Sequence, residues 1–442
     1  MTAKLSDHFG YKKLLRFTLP SVIMMIFTSV YGVVDGFFVS NFAGKTPFAA
    51  LNFIMPFIML LGAFGFMFGT GGSAIVAKLM GEGESKKANE VFSLLVCVSV
   101  VCGAVITLLG FIFMEDAAAL LGAEGEILRL STLYGRIVIL AIPAFMLQLE
   151  FQSFFITAEK PQLGLYVTVA AGVVNMVLDA LFVGLFKWGL AGAAAATALS
   201  QAVGGIVPIV YFGSPNTSLL RLRRFTFDGR SLLIACTNGS SELMSNISMS
   251  LIGMLYNIQL LKYAGENGVA AYGVLMYINF VFLSAFIGYS IGTAPVISYH
   301  FGAKNTAELK SLLRKSMVII CGFSLCMVGL SLILAKPLSR IFVGYDGELF
   351  ALTVRGFLIF SFSFLFAGFA IFGSGFFTAL NNGFVSALIS FLRTLVFQTA
   401  AMLIFPLIWD TDGIWMSVVA AEFMAAVLTV IFIRAFRKKY KY

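Results

Sequence analysis

Four side chains in the first half of the chain have types and spacings suited to ion chemistry: Asp35, Asn175, Asp179 and Thr197. Asp35 lies inside the apolar stretch 14–40, and Tyr31 precedes it by one helical turn on the same face. A carboxylate at the centre of a spanning helix costs about 2.5–3.5 kcal/mol on insertion scales, so such groups usually line a cavity and serve a function. Asn175 and Asp179 stand at i, i+4 and share one face of the fifth apolar stretch, while Thr197 lies in the sixth. Counted from the ends of their stretches, Asp35, Asp179 and Thr197 agree in depth to within about one helical turn. Two carboxylates, an amide and a hydroxyl at one level can give oxygen ligands to a hard cation. The carboxylates can instead share a proton, because repulsion and desolvation oppose a second charge. The plain alternative is a hydrogen-bonded cluster that only fastens three helices.

The second half has acids of its own, Glu242 in the seventh stretch and Glu422 in the twelfth. Arg393 in the eleventh lies at a depth similar to Glu422, so a buried ion pair is one expectation for both. Glu150 in the fourth stretch stands between Gln148 and Gln152. It reads either as a substrate-facing acid of a cavity or as an interfacial group near Lys160. No phosphate-binding GxxxxGK[ST] loop is present, so coupling to ATP within this chain is not expected. The only histidines are His8 and His300, and no His/Ser/Cys constellation supports catalysis. The chain therefore reads as no enzyme and needs no cofactor beyond a coupling ion. The five cysteines fall in apolar stretches and suggest neither a disulfide framework nor a metal site.

The elements that must hold these residues follow from composition. The chain is 60% hydrophobic and 12% charged, far from a soluble domain with about 25% charged residues. Twelve apolar stretches are expected at 14–40, 47–77, 90–113, 131–155, 163–186, 189–212, 231–261, 269–297, 311–335, 354–378, 384–408 and 413–434. A helix of about 20 apolar residues crosses a hydrocarbon core of about 30 Å, so these define an all-α, multi-pass membrane protein. With the N-terminus inside, 21 Lys and Arg fall on inner segments, seven on outer segments and two within spans. That bias predicts both termini on the cytoplasmic side. It also accounts for the net charge of +9 without nucleic acid as a partner. Pro20 removes one hydrogen bond from the first helix and predicts a bend or hinge there.

The chain also repeats itself. At an offset of 221 residues, Ala43-Gly44 meets Ala264-Gly265, Gly81 meets Gly302, Thr157-Ala158 meets Thr378-Ala379, and Trp188 meets Trp409. Two six-helix lobes are expected, 1–212 and 231–442, joined by a cytoplasmic linker at 213–230. Since six is even, the repeat is parallel, with a substrate site between the halves. The offset does not repeat the acids, since Asp35 meets Tyr256 and Asp179 meets Ala400. The halves share a scaffold and divide the chemistry.

Over its full length the chain resembles the MATE (multidrug and toxic compound extrusion) family. The residues that carry the resemblance are Pro20, Tyr31, Val34-Asp35, Phe38-Val39, Ala43-Gly44, Ala49-Ala50, Pro56, Gly65–Gly72 and Val76–Gly81. The resemblance implies twelve helices in two lobes around a V-shaped cavity. It also implies export of organic, often cationic compounds against an inward flow of protons or sodium ions. Asp35, Asn175, Asp179 and Thr197 match the first-lobe cation site of archaeal and DinF-type members; Asp35, Asn175 and Asp179 would be the metal ligands if sodium is the ion. Glu242 resembles the seventh-helix glutamate of another branch.

The resulting expectation is a secondary antiporter of a bacterial or archaeal cytoplasmic membrane, exporting small organic molecules by alternating access and functional as a monomer. One rival is a lipid-linked oligosaccharide flippase of the same superfamily, which would want a cationic cavity. Another is a membrane sensor that transports nothing, for which no soluble segment is long enough to signal.

Overall fold

The computed structural model describes residues 4–442; the first three residues of the expected 1–212 lobe and the side chains of Val33 and Lys45 lie outside that description. Among the described residues every regular element is a helix. In chain order these are α1 (Tyr11–Ala43), α2 (Thr46–Gly81), α3 (Ser85–Leu120), and α4, made of Gly125–Ile139 and Ile142–Thr157 at 60° to each other. They continue as α5 (Pro161–Leu185), α6 (Gly189–Gly213), α7 (229–264), α8 (266–302) and α9 (Thr306–Val343). The last three are α10 (Gly347–Ala379), α11 (Gly383–Ile404) and α12 (Pro406–Tyr440). Helices α7 and α8 are separated only by Gly265, whose φ of +62° and ψ of −155° suit a residue without Cβ. With that break and the bent α4 each counted once, the chain makes the twelve crossings expected of it.

The repeat is real but not gapless. Left-handed corners mark equivalent turns. Gly44 and Gly265, like Gly83 and Lys304, stand 221 positions apart. Glu159 and Asn381 stand 222 apart, and Lys187 and Asp410 stand 223 apart. The second half therefore gains two residues along its length, in regions that tolerate insertion because they are turns. Trp188 and Trp409 share a type without sharing a structural position.

Small residues set how closely the helices approach. Gly65 and Gly69 of α2 face the α4 backbone; a Cβ on them would lie 2.3 Å from the Met146 carbonyl oxygen and 2.8 Å from Glu150 Cα. Gly288 and Gly292 of α8 face α1 in the same manner, 2.6 Å from Val22 Cα and 3.1 Å from Thr18 Cβ. Both are the close contacts that a GxxxG spacing permits.

The two halves meet backbone to backbone at one end of the bundle. A Cβ on Gly71 would lie 1.9 Å from the Ala235 oxygen, and one on Gly239 would lie 2.0 Å from the Met67 oxygen. Gly81 and Gly302 repeat the arrangement against Tyr299 and Lys78, at 2.0 and 2.1 Å. This is also the end that holds both termini. Phe9 donates its amide to Glu308 at the start of α9, and Tyr442 packs edge-on against Phe376 of α10.

Between the halves, residues 214–228 carry no regular structure and lie along α3. Arg221 donates its amide to Asn89 (2.7 Å) and Arg223 donates its own to the Ser93 hydroxyl (2.9 Å). Asp228 then caps α7, accepting from the amides of Arg230 and Ser231. Its bonds from the Ser231 side chain and amide hold the carboxyl below the usual carboxylate range.

Helix α1 belongs to both halves. Its first turns pack with α8 and α9, where Leu14 and Phe17 join Ile297, Leu309 and Leu312 in one apolar cluster. Beyond Pro20 it also meets α5, where Phe27 and Tyr31 close over Gly172 at 2.5 and 3.1 Å from its ideal Cβ. Val22 stays against Gly288, and Ser29 donates to the Phe280 carbonyl of α8.

Candidate functional site

Asp35, Asn175, Asp179 and Thr197 are all withdrawn from solvent, with exposures of 5%, 2%, 0% and 8%. Asp35 of α1 and Asp179 of α5 adjoin, each being the other's neighbouring acid. Asn175 sits one turn before Asp179 on α5, and Thr197 comes from α6. Neither Asp35 Oδ1, Asn175 Oδ1, the two Asp179 oxygens nor Thr197 Oγ1 has a hydrogen-bond partner. Buried polar atoms are normally paired, because leaving one bare costs about 1–3 kcal/mol. Two adjacent carboxylates without a cationic partner cannot both hold a bare charge in such a place. A shared proton or a bound cation would resolve the conflict, and the amide and hydroxyl oxygens add ligands for the second.

A second ring of groups surrounds the acids. Tyr31 lies beside Asp35 and beside Gln148 of α4. Gln148 in turn fills the groove over Gly204 of α6. Tyr134, fully buried on α4, stands next to Thr197 and near both aspartates. Sequence reading did not single out Tyr134, although its place on the polar side of the fourth stretch was the available signal.

The backbone is also altered at these acids. A π-helical segment, Val39–Ala43, follows Asp35 by one turn, and another, Ala180–Leu185, begins directly after Asp179. A third, Leu392–Phe397, contains Arg393. One extra residue per turn widens the helix and leaves irregular backbone, an arrangement frequent at functional sites.

The remaining candidates lie elsewhere. Arg393 reaches across from α11 to Glu422 of α12 with three hydrogen bonds: Nε to both carboxyl oxygens at 3.0 and 2.8 Å, and an NH2 group to Oε1 at 2.8 Å. The expected ion pair is present and buried. Glu150 is fully enclosed where α4 crosses Gly69 of α2, near Ser99 of α3, with both oxygens unpartnered. Glu242 of α7 lines a cavity of about 20 Å³ with Thr70, Ser73, Ser153, Ser290 and Thr378. These residues come from both halves, and the space suits about one water molecule.

Fold and site together define a polytopic helical membrane protein of two six-helix repeats, with an unpaired acidic cluster in the first repeat and a salt-bridged second one. The chain belongs to the MatE family, which it matches twice, over residues 20–181 and 243–404. It is similar to the multidrug export protein MepA of Staphylococcus haemolyticus, 24% identical over 432 residues that cover 97% of this chain and 94% of that protein. Among solved structures it superposes on a MATE in complex with MaL6 with a TM-score of 0.93, at 22% identity and 98% coverage of both chains. An outward-facing multidrug resistance MATE family transporter of the MOP superfamily gives 0.92 at 22% identity, covering 98% and 97% of the two chains.

Proposed function

We propose that the chain is a multidrug antiporter that exports organic, cationic or lipophilic compounds in exchange for protons or sodium ions. The observation that carries this reading is the buried Asp35/Asp179 pair, which has no cationic side chain to balance it. A coupling ion has a use for such a pair; a structural cluster would be better served by neutral groups. Asp35, Asn175, Asp179 and Thr197 supply the ion-binding oxygens, and Asp35, Asn175 and Asp179 are the ligands if the ion is sodium. Kinship with a multidrug export protein supports the substrate class. A flippase of the same superfamily is not favoured, because its pyrophosphate cargo needs free cations and Arg393 is already engaged by Glu422.

In this reading 1–212 and 231–442 rock about the linker at 213–230, within one monomer. Both termini lie in the cytoplasm of a bacterial or archaeal cell, and the closed end is the cytoplasmic gate. Ion and substrate favour different lobe arrangements, so each weakens binding of the other. Accumulation and release of a fluorescent cationic dye, measured in proteoliposomes under an imposed proton or sodium gradient, tests the proposal. Efflux that responds to neither gradient would overturn it.

Pro20 is the hinge of this cycle. It frees the carbonyl of Arg16 and costs α1 little to bend, and it lies just before the stretch of α1 that adds contacts with α5 to those with α8. Pro20→Ala is expected to slow transport several-fold while leaving substrate binding intact. Spin labels on the two lobes should then lose most of their distance change between low and high pH; an unchanged response would leave Pro20 a packing feature.

A further inference from the structure

Residues Lys4–Gly10 cross the seam between the two halves at the closed end. Leu5 donates its amide to Glu159 Oε1 at 2.6 Å, and Glu159 sits in the turn between α4 and α5 of the first half. Four residues on, Phe9 donates its amide to Glu308 Oε1 at 2.9 Å, and Glu308 opens α9 of the second half. His8 Nδ1 meets the other oxygen of the same carboxylate at 2.5 Å, and Lys315 of α9 donates to the Phe9 carbonyl. Between the two anchors the segment is held in a turn. Asp7 donates its amide to the Lys4 carbonyl, and its carboxylate accepts from the Lys4 amide (2.8 Å) and Lys13 (2.7 Å).

The apolar side chains follow the same plan. Leu5 and Phe9 are both wholly buried, in a cluster that joins Ile156 of α4 to Leu309 and Leu312 of α9. Phe9 also packs edge-on against Phe17 of α1. Since the first turns of α1 are held by α8 and α9, the bond from Leu5 to Glu159 and the contact with Ile156 tie this assembly to the first half. Glu159 makes its turn in the left-handed region, at φ +59°, where a residue with a side chain is uncommon. The carboxylate at that corner gives the strap an acceptor which glycine there would lack.

We propose that Lys4–Gly10 is a latch that holds the bundle shut at its termini end by bridging Glu159 and Glu308, and that it lets go of Glu159 when that end opens. The proposal rests on the alternating-access reading only for its use in the cycle; the latch itself is a statement about the lobe equilibrium. Because a hydrogen bond to a charged group is stronger than one to a neutral group, loss of one anchor should shift the open-to-closed ratio by about ten-fold or more.

The test uses the full chain in nanodiscs, with spin labels at Lys87 of α3 and Lys310 of α9, both exposed at the termini end. Glu159→Gly removes the acceptor and suits the left-handed corner, so the fold is not at risk. It should raise the population with a longer inter-label distance about ten-fold. Glu159→Gln keeps an acceptor oxygen without its charge, and should fall between the parent and Glu159→Gly, because a neutral hydrogen bond is the weaker one. Leu5→Pro, which removes the donated amide hydrogen together with the buried leucine side chain, should open the bundle at least as far as Glu159→Gly does. A parent-like distribution in both Glu159→Gly and Leu5→Pro would overturn the latch. Failure of the antiport reading would look different: no gradient-driven dye movement in any of these proteins, with the distance shifts still present.

Discussion

Asp35→Asn and Asp179→Asn are each expected to reduce gradient-driven efflux to the level of cells without the protein, with normal amounts in the membrane. The amide is nearly the same shape as the carboxylate and costs less to bury, so insertion and folding should not suffer. What changes is the chemistry. With one carboxylate gone, the pair no longer needs a proton or a cation, and the surviving acid is left with an amide that can donate a hydrogen bond to it. The ion then has little difference in affinity between the two lobe arrangements, and a ligand without differential affinity shifts no equilibrium. Substrate binding should survive or strengthen, because its competitor is lost. Dye binding by the purified variants, set beside efflux from cells, separates the two effects. Full efflux by either variant would remove the pair from the coupling mechanism.

Asn175→Ala and Thr197→Ala should be milder in a proton-coupled protein and severe in a sodium-coupled one. Neither side chain carries the proton, but both would be cation ligands. The size of their effect therefore reads out the ion.

Much of this arrangement is legible in the sequence because a membrane demands simple signals. Apolar runs of about 20 residues mark the crossings, and a charge inside one stands out against them. Asp35, Asp179 and the Arg393–Glu422 pair were visible for that reason, and equal depth brought each set together. The features that escaped are those whose cause is tertiary. Nothing in ALFVGL or LRTLVF distinguishes a π segment from an α-helix, since the widened turn is a matter of how neighbours pack. The drift of the repeat from 221 to 223 resides in corners where Gly, Lys, Asn and Asp all adopt the left-handed region, so residue type does not reveal the register. Glu150 reads as a cavity acid rather more than an interfacial one, and its enclosure against Gly69 depends on a helix far off in the chain. Residues 4–10 look like a polar leader, yet Leu5 and Phe9 are core residues, because Glu159 and Glu308 satisfy the backbone between them.

The second large effect is expected on stability. Arg393 and Glu422 are 12% and 5% exposed at the side chain, and three hydrogen bonds join them. Removing one partner of such a pair strands the other charge, at a cost of about 3–5 kcal/mol. Glu422→Gln should therefore lower the melting temperature in detergent and the amount of protein in the membrane, and Arg393→Met should do the same from the other side. The double substitution Arg393→Met with Glu422→Leu removes both charges and fills the volume with apolar groups, which is often neutral or stabilising. It should regain the parent stability, and the non-additivity of the three variants measures the coupling of the pair. Arg393 lies within the π segment Leu392–Phe397, so the pair also fixes where α11 widens against α12. If efflux returns together with stability in the double variant, the pair is a fastener of the second half and the coupling chemistry belongs to the first. A stable double variant that does not transport would move part of that chemistry to α11 and α12, and would remove the division of labour that the unequal distribution of acids implies.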